Sequence, residues 1–293
     1  MAHPGGFRHR AAALLQLLLP LLALLAIAAQ AGDRRELRLV SLSPAISRTL
    51  ATLGLADRVV GRTPWCRLPA AIPVVGDLYR IDYERLIRVR PTDVLLQTPA
   101  SGLDPELRRL AKVHRWRLHA WPHLDRVTDV RRLIRELPEA LFGGAPPTGV
   151  AARRDRLLQA LDTTLKSGPC TTDPGPVVLL TGTDPPLAFG RRTYLDDLLQ
   201  AWGLRNAVQQ DGWVTLSLER LARLRPATVV WLSDRPAEPP AGLRAAAPEH
   251  LRVLEHPDVL LPAAGLPDVA QALARILSTL PGCRSTRTAA SPP

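Results

Sequence analysis

The sequence predicts an α/β protein of two lobes, each built on a parallel sheet, joined by one long α-helix. Three observations carry that expectation. Glu84-Arg85-Leu86-Ile87-Arg88-Val89-Arg90-Pro91-Thr92-Asp93-Val94 returns as Glu219-Arg220-Leu221-Ala222-Arg223-Leu224-Arg225-Pro226-Ala227-Thr228-Val229, with 7 of 11 positions identical at an offset of 135 residues. A repeat at that distance signals two similar lobes, because solenoid periods run roughly 20–50 residues. Short apolar runs alternate with amphipathic stretches on both sides, the pattern of βαβ units and parallel sheets. Between the halves, Leu157, Leu158, Leu161 and Leu165 mark one face of a long connecting helix.

The chain opens with a stretch from Met1 to Ala31 that reads as an export signal. Arg8 and Arg10 lie ahead of an apolar run over Ala11–Ala29, and Ala29-Gln30-Ala31 offers a small-x-small cleavage pattern. A retained membrane tether is the alternative, since a spanning helix needs about 20 apolar residues. Pro20 and the small residues at the end of the run favour cleavage. Removing 31 of 293 residues leaves 262, enough for two lobes with their own cores.

The first lobe is placed at 33–142. Leu37–Ser41 forms a strand, and Ser43-Pro44 leads into a helix with Ile46, Leu50 and Leu53 on one face, ended by Gly54. Strands follow at Val59–Gly61, Val94–Leu96 and Leu118–Ala120, with helices over Pro105–Val113 and Val127–Leu141. Phe142-Gly-Gly-Ala-Pro-Pro-Thr-Gly149 is a breaker cluster and marks the boundary. The connecting helix occupies 146–168. The second lobe, 175–281, begins with the buried-strand run Val177–Leu180. A helix over Thr193–Trp202 follows, then the repeated Glu segment, a strand at Val229–Leu232, a polar proline-bearing loop and a last helix over Pro267–Leu277. Residues 282–293 read as a flexible tail.

Net charge is +11, but the basic residues are scattered and only Lys112 and Lys166 are lysines. No aromatic-interleaved basic patch is present, so nucleic acid is not the expected partner. Cys66, Cys170 and Cys283 match no zinc spacing. In an oxidising compartment Cys170 and Cys283 are the pair to expect, with Cys66 free; three unpaired thiols are the alternative. Ser41-Leu42-Ser43 is not a nucleophile elbow and no phosphate-cradling glycine loop occurs, so the chain reads as a binder and not an enzyme. Asp196-Asp197 reads as capping or solvating a helix.

From Arg38 to Leu280 the chain resembles the periplasmic binding proteins that feed cobalamin, ferric-siderophore and heme ABC importers, the helical-backbone metal-receptor superfamily. The resemblance rests on Val40-Ser-Leu-Ser-Pro44, Val60-Gly61, Val75-Gly76-Asp77, Gly190-Arg-Arg-Thr-Tyr-Leu-Asp-Asp197 and Trp202-Gly-Leu-Arg-Asn206, in order and at the family's spacing. The pattern is most like that of the vitamin B12-binding members. It implies Rossmann-like lobes that clamp a cobalt corrinoid or an iron chelate, no resident cofactor, a monomeric receptor, and docking to an ABC permease dimer through one Glu per lobe, here Glu84 and Glu219. Asp82 and Ser217 read as N-caps of the two Glu helices, so each carboxylate also opposes a helix dipole.

Open α/β sheets bind ligands outside the carboxyl ends of their strands. Trp65 and Trp213 fall in such loops and resemble the aromatics that cobalamin-binding members set against the corrin; each offers flat apolar area with one N–H donor. Tyr79, Gln97, Trp121 and Phe189 are the other ligand-contact candidates at that level. Arg191 and Arg192 are placed to meet anionic groups. His114, His119 and His123 are close in sequence, but His119 falls in a strand and His123 in the loop after it. The second lobe offers only His250 and His256, so no bare metal-ion site is expected, and His123 is the single candidate ligand to a chelated metal.

Overall fold

The computed structural model describes residues 36–77, 80–182, 185–247 and 251–284. In the first lobe, β1 (Leu39–Ser41), β2 (Val59–Arg62), β3 (Asp93–Gln97) and β4 (Arg117–Trp121) form an all-parallel sheet in the order β2-β1-β3-β4. Helix α1 (Pro44–Thr52) starts on a proline, whose fixed φ suits a first turn, and buries Ile46 and Leu50. Beyond its end Gly54 takes φ +79°, a left-handed turn that suits glycine. Helices α2 (Tyr83–Arg88), α3 (Pro105–His114) and α4 (Val127–Phe142) complete the lobe.

The sequence repeat is a structural repeat. Asp82 caps α2 by accepting from the Arg85 N–H at 2.9 Å, and Ser217 caps α7 (Leu218–Leu224) by accepting from the Arg220 N–H at 3.2 Å. Both copies then leave the helix through a left-handed arginine immediately before proline, Arg90 (φ 47°) and Arg225 (φ 45°).

The second sheet departs from the parallel expectation. Strands β5 (Val177–Thr181), β8 (Thr228–Ser233) and β9 (Leu251–Glu255) are parallel, but β6 (Leu187–Phe189) and β7 (Trp213–Thr215) add an antiparallel arm, giving β7-β6-β5-β8-β9. Strands β6, β7 and β9 and helix α8 (Ala241–Ala246) were not foreseen; β6 and β7 have only three residues each, too few to show a period of two. Helices α6 (Tyr194–Ala201) and α9 (Leu266–Leu277) lie where the pattern placed them.

The connector is α5 (Thr148–Lys166). Trp202 Nε1 donates to the Thr164 carbonyl at 2.9 Å, and Arg153 Nη1 donates to the Leu53 carbonyl at 3.3 Å, so both lobes hold it. The lobes also share a core. Val127, Val130 and Ile134 of α4 pack with Leu161 of the connector and with Phe189, Leu195, Leu198 and Leu273 of the second lobe. Burying a Val or Ile side chain contributes about 1.5–3 kcal/mol. An exposed ion pair contributes about 0–1 kcal/mol. The shared apolar contacts therefore dominate the union, and the breaker cluster near 142–149 divides the chain but not the core. A disulfide joins Cys170 to Cys283, tying the end of the described chain to the segment after the connector, and Cys66 is free and buried.

Candidate functional site

A cleft between the lobes is walled by the loop beyond the carboxyl end of β4 and by the segments that flank the antiparallel β6 and β7. One pocket of about 500 Å³ takes walls from both lobes: His123, Arg126 and Asp129 from the first, Arg192, Asp211 and Trp213 from the second. His123 follows β4 in the loop to α4, as its place in the sequence predicts, and is exposed. Trp213 is 41% exposed. Its ring lies 3.9 Å, centroid to centroid, from Phe189, which meets Tyr194 edge-on at 5.8 Å. The Tyr194 hydroxyl donates to the Val259 carbonyl at 2.7 Å, and full burial pushes its pKa well up, so it stays a neutral donor. A buried aromatic stack thus presents one Trp to the pocket.

The backbone beneath Trp213 is equally fixed. Gly190 N–H donates to the Gly212 carbonyl at 2.9 Å, and Arg191 N–H donates to the Gln210 carbonyl at 2.7 Å. Arg192 sits at φ 62° with its N–H donating to Asp196 at 3.1 Å. The buried Asp196 carboxylate also accepts from Asn206 at 2.9 Å and Gln200 at 2.6 Å. Arg191 and Arg192 each approach Asp211 at 3.6 Å.

Among the described residues, three ion pairs cross between the lobes. Arg126 Nε lies 2.8 and 2.9 Å from the two Asp197 oxygens, and Asp197 also accepts from the Val127 N–H at 2.8 Å, capping α4 from the other lobe. The hydrogen bond to Asp197 raises the Arg126 pKa further, so the guanidinium stays charged. Beyond the capping or solvating role the sequence suggests for the pair, Asp196 is thus a loop anchor and Asp197 an interlobe anchor. Arg48 Nε donates to Asp258 at 2.7 Å, and the Asp258 side chain is only 3% exposed. Losing Arg48 would strand a buried carboxylate, a cost below the ~3–5 kcal/mol of a fully buried pair because the guanidinium is partly solvated. Arg67 meets Asp234 at 2.9 Å with side chains 45% and 37% exposed, a setting where a pair contributes at most ~1 kcal/mol. The first two are struts; the third is weak.

Residues 39–254 match the family model described as periplasmic binding protein. The chain belongs to the periplasmic binding protein family. Among curated relatives it is 24% identical over 204 residues to the uncharacterised ABC transporter substrate-binding lipoprotein YvrC of Bacillus subtilis (strain 168), covering 66% of this chain and 62% of that one. The chain thus spans under two thirds of that relative's length. Its fold matches the vitamin B12-binding protein BtuF of Vibrio cholerae with a TM-score of 0.64 at 15% identity, covering 82% of this chain and 96% of that chain. It also matches the heme-binding protein BhuT, solved with two hemes, with a TM-score of 0.62 at 26% identity over 82% and 97% of the respective chains.

On this family frame the remaining predicted residues separate. Trp65 is 72% exposed in the loop after β2, beside the buried Cys66, whose sulfur lies 2.9 Å from Ser47 Oγ and 3.0 Å from Thr63 Oγ1. Trp65 and Gln97 do not line the pocket with Trp213; Gln97 is half-buried at the end of β3, in register with Trp121. Trp121 and Phe189 were expected against ligand, but both are buried, Trp121 stacked at 6.5 Å on His119 and Phe189 behind Trp213. Phe189 thus backs the Trp213 ring, while Trp121 packs on its own strand neighbour. His114 stacks on Trp116 at 4.9 Å and His119 bonds Asp93 at 2.8 Å, so neither approaches His123's pocket. Among the described residues no group of three His, Cys, Asp or Glu side chains is placed to hold a metal ion.

Glu84 and Glu219 are both exposed in the first turns of their helices. Glu219 pairs with Arg223 one turn on, and Glu84 has no basic partner among the described residues. Tyr79, His250 and the predicted signal Met1–Ala31 lie outside the described residues. Among those described, no helix is long and apolar enough to cross a membrane. Nothing local in the sequence marks Arg67, Arg126 or Asp234, because their partners are 71 or 167 residues away.

Proposed function

We propose that this chain is the exported solute receptor of an ABC importer, capturing a metal chelate between its lobes and delivering it to a permease dimer through Glu84 and Glu219. The supporting observation is the pocket shared by both lobes, with an aromatic-backed Trp213 on one wall and His123 and Arg192 on its rim. A flat apolar surface ringed by cationic and hydrogen-bonding groups suits a macrocycle with polar edges. A cobalt corrinoid is the first cargo, because Trp213 and the more exposed Trp65 both offer open ring faces. Heme is the second reading, favoured by one observation: His123 stands exposed at the pocket, where an imidazole can ligate iron. BhuT, the 26% identical relative, carries hemes. The protein works in the periplasm; retention of its N-terminal segment would tether it to the inner membrane.

Titration with cyanocobalamin, haemin and a ferric hydroxamate, followed by tryptophan fluorescence, tests the reading. Cyanocobalamin should bind, and Trp213→Ala should weaken it about tenfold, as loss of an aromatic contact of roughly 1.5 kcal/mol implies. Silence with all three removes the ligand class; tight corrinoid binding that survives Trp65→Ala and Trp213→Ala together removes the site. Docking has its own test. A Glu84→Ala, Glu219→Ala variant should bind ligand normally yet fail to stimulate its transporter's ATPase, and normal stimulation would leave both residues as dipole-opposing surface acids.

A further inference from the structure

We infer that Arg67 and Asp234 form an exchangeable latch across the cleft, and that the ligand carries an anionic oxygen group which takes Arg67 from Asp234. The inference rests on the reading of the cleft as the ligand site. Arg67 lies in the loop after β2, two residues beyond the exposed Trp65, and Asp234 is the first residue after β8. Each strand ends at the carboxyl edge of its own sheet, so the pair joins the two walls where an α/β frame takes its ligand. Arg67 Nη2 donates to the Asp234 carbonyl at 2.7 Å and to its carboxylate at 2.9 Å. Both bonds leave from one nitrogen, so Asp234 does not use the planar two-nitrogen fork by which arginine grips carboxylate or phosphate.

The other crossings are built differently. Arg126 engages both oxygens of Asp197, and Arg48 neutralises a carboxylate that is 3% exposed. Neither can let go cheaply. Arg67 and Asp234 face water at 45% and 37%, so separation strands neither charge. Asp234 keeps a cation nearby after release, because Arg235 Nε lies 3.9 Å away on an exposed side chain. A ligand anion offering two oxygens therefore competes well for Arg67, while its apolar face meets Trp65 alongside. Capture would exchange a contact between the lobes for one between lobe and ligand.

Carboxylate and phosphodiester share this chemistry, and matched probes separate them. Haemin compares with its dimethyl ester, and cyanocobalamin with cobinamide, which lacks the whole nucleotide loop with its phosphate, so the haemin pair isolates the charge. Arg67→Ala in the full chain should weaken the anion-bearing member of the pair that binds by tenfold or more and its neutral partner by less than twofold. Asp234→Ala should tighten the anion-bearing member severalfold by removing the competitor. Equal losses on both members, or weaker binding by Asp234→Ala, overturn the exchange. Hydrogen exchange of the ligand-free protein tests the latch alone. Segments 63–68 and 233–236 should both exchange faster in Arg67→Ala and in Asp234→Ala, with protection regained in the Arg67→Asp, Asp234→Arg swap. Unchanged exchange overturns the latch even if the receptor reading stands. If none of the probes binds, the anion claim falls with that reading and exchange still decides the latch.

Discussion

Gly190 shows how one atom's absence positions a binding surface. Its φ is not in the left-handed region, so conformational freedom is not the reason for glycine here. A Cβ at this position would lie 2.1 Å from the Gln210 carbonyl and 2.9 Å from that of Gly212. Those carbonyls accept the hydrogen bonds that hold the Trp213 segment against the Gly190-Arg191 backbone. Gly190→Ala should push this segment away and cost about 1–3 kcal/mol, the range for overpacking a close contact. Thermal denaturation should show the loss, with Trp213 fluorescence perturbed; a shift under ~0.5 kcal/mol would mean the segment yields freely. Asp93 is a second such residue. Burial alone would raise its pKa, but hydrogen bonds from His119, Arg117 and Thr92 outweigh burial and hold the carboxyl below its ordinary value. A depressed carboxylate adds stability above its unfolded pKa of about 3.9 and loses it as pH falls through the lower folded value. Asp93→Asn should therefore be less stable than the parent at neutral pH, with the gap closing in acid; urea titrations at pH 7 and pH 3 would measure it, and a pH-independent gap would assign the cost to packing.

At the scale of elements, α4 depends on a carboxylate from α6. Asp197 caps its first N–H and pairs with Arg126 in the residue before it. Arg126→Ala should destabilise by about 1–2 kcal/mol, below the 3–5 kcal/mol of a fully buried pair because the guanidinium is partly solvated. Chemical denaturation would measure this, and a neutral outcome would make the Val127 cap the only functional part. This contact also marks what a sequence can reveal. The Gly190–Asp197 segment was legible as a turn into a helix because Gly, Thr and the acids fit local capping rules. That Asp197 points across to α4 was not, since no local rule specifies a partner 71 residues away. The same holds for burial. Trp213 and Trp121 both end up beside strand termini, but only side-chain packing buries one and leaves the other open. The antiparallel arm that carries Trp213 was hidden because three-residue strands show no periodicity. The Glu helices, by contrast, were legible to the capping residue, because cap, repeat and proline all lie within one short segment.

At the scale of the whole molecule, the common core determines how freely two lobes can move. Two domains joined by a linker unfold separately and hinge widely. Here α4, which the chain assigns to the first lobe, places Val127, Val130 and Ile134 in the cluster that also holds Phe189, Leu198 and Leu273. Wide opening would expose that cluster, each residue of which contributes about 1.5–3 kcal/mol when buried. Breaking the Arg67–Asp234 contact costs far less, so any opening should be confined to the cleft mouth while the connector side stays closed. The lobes should then melt as one unit. Trp65, Trp116 and Trp121 report on the first lobe and Trp202, Trp213 and Trp231 on the second, so tryptophan fluorescence sees both. Ile134→Ala should cost about 2–5 kcal/mol and lower a single calorimetric transition by several degrees, although the residue lies in the first lobe. A second-lobe transition that stays at its parent temperature in this variant would show that the lobes are independent and that the cluster does not couple them.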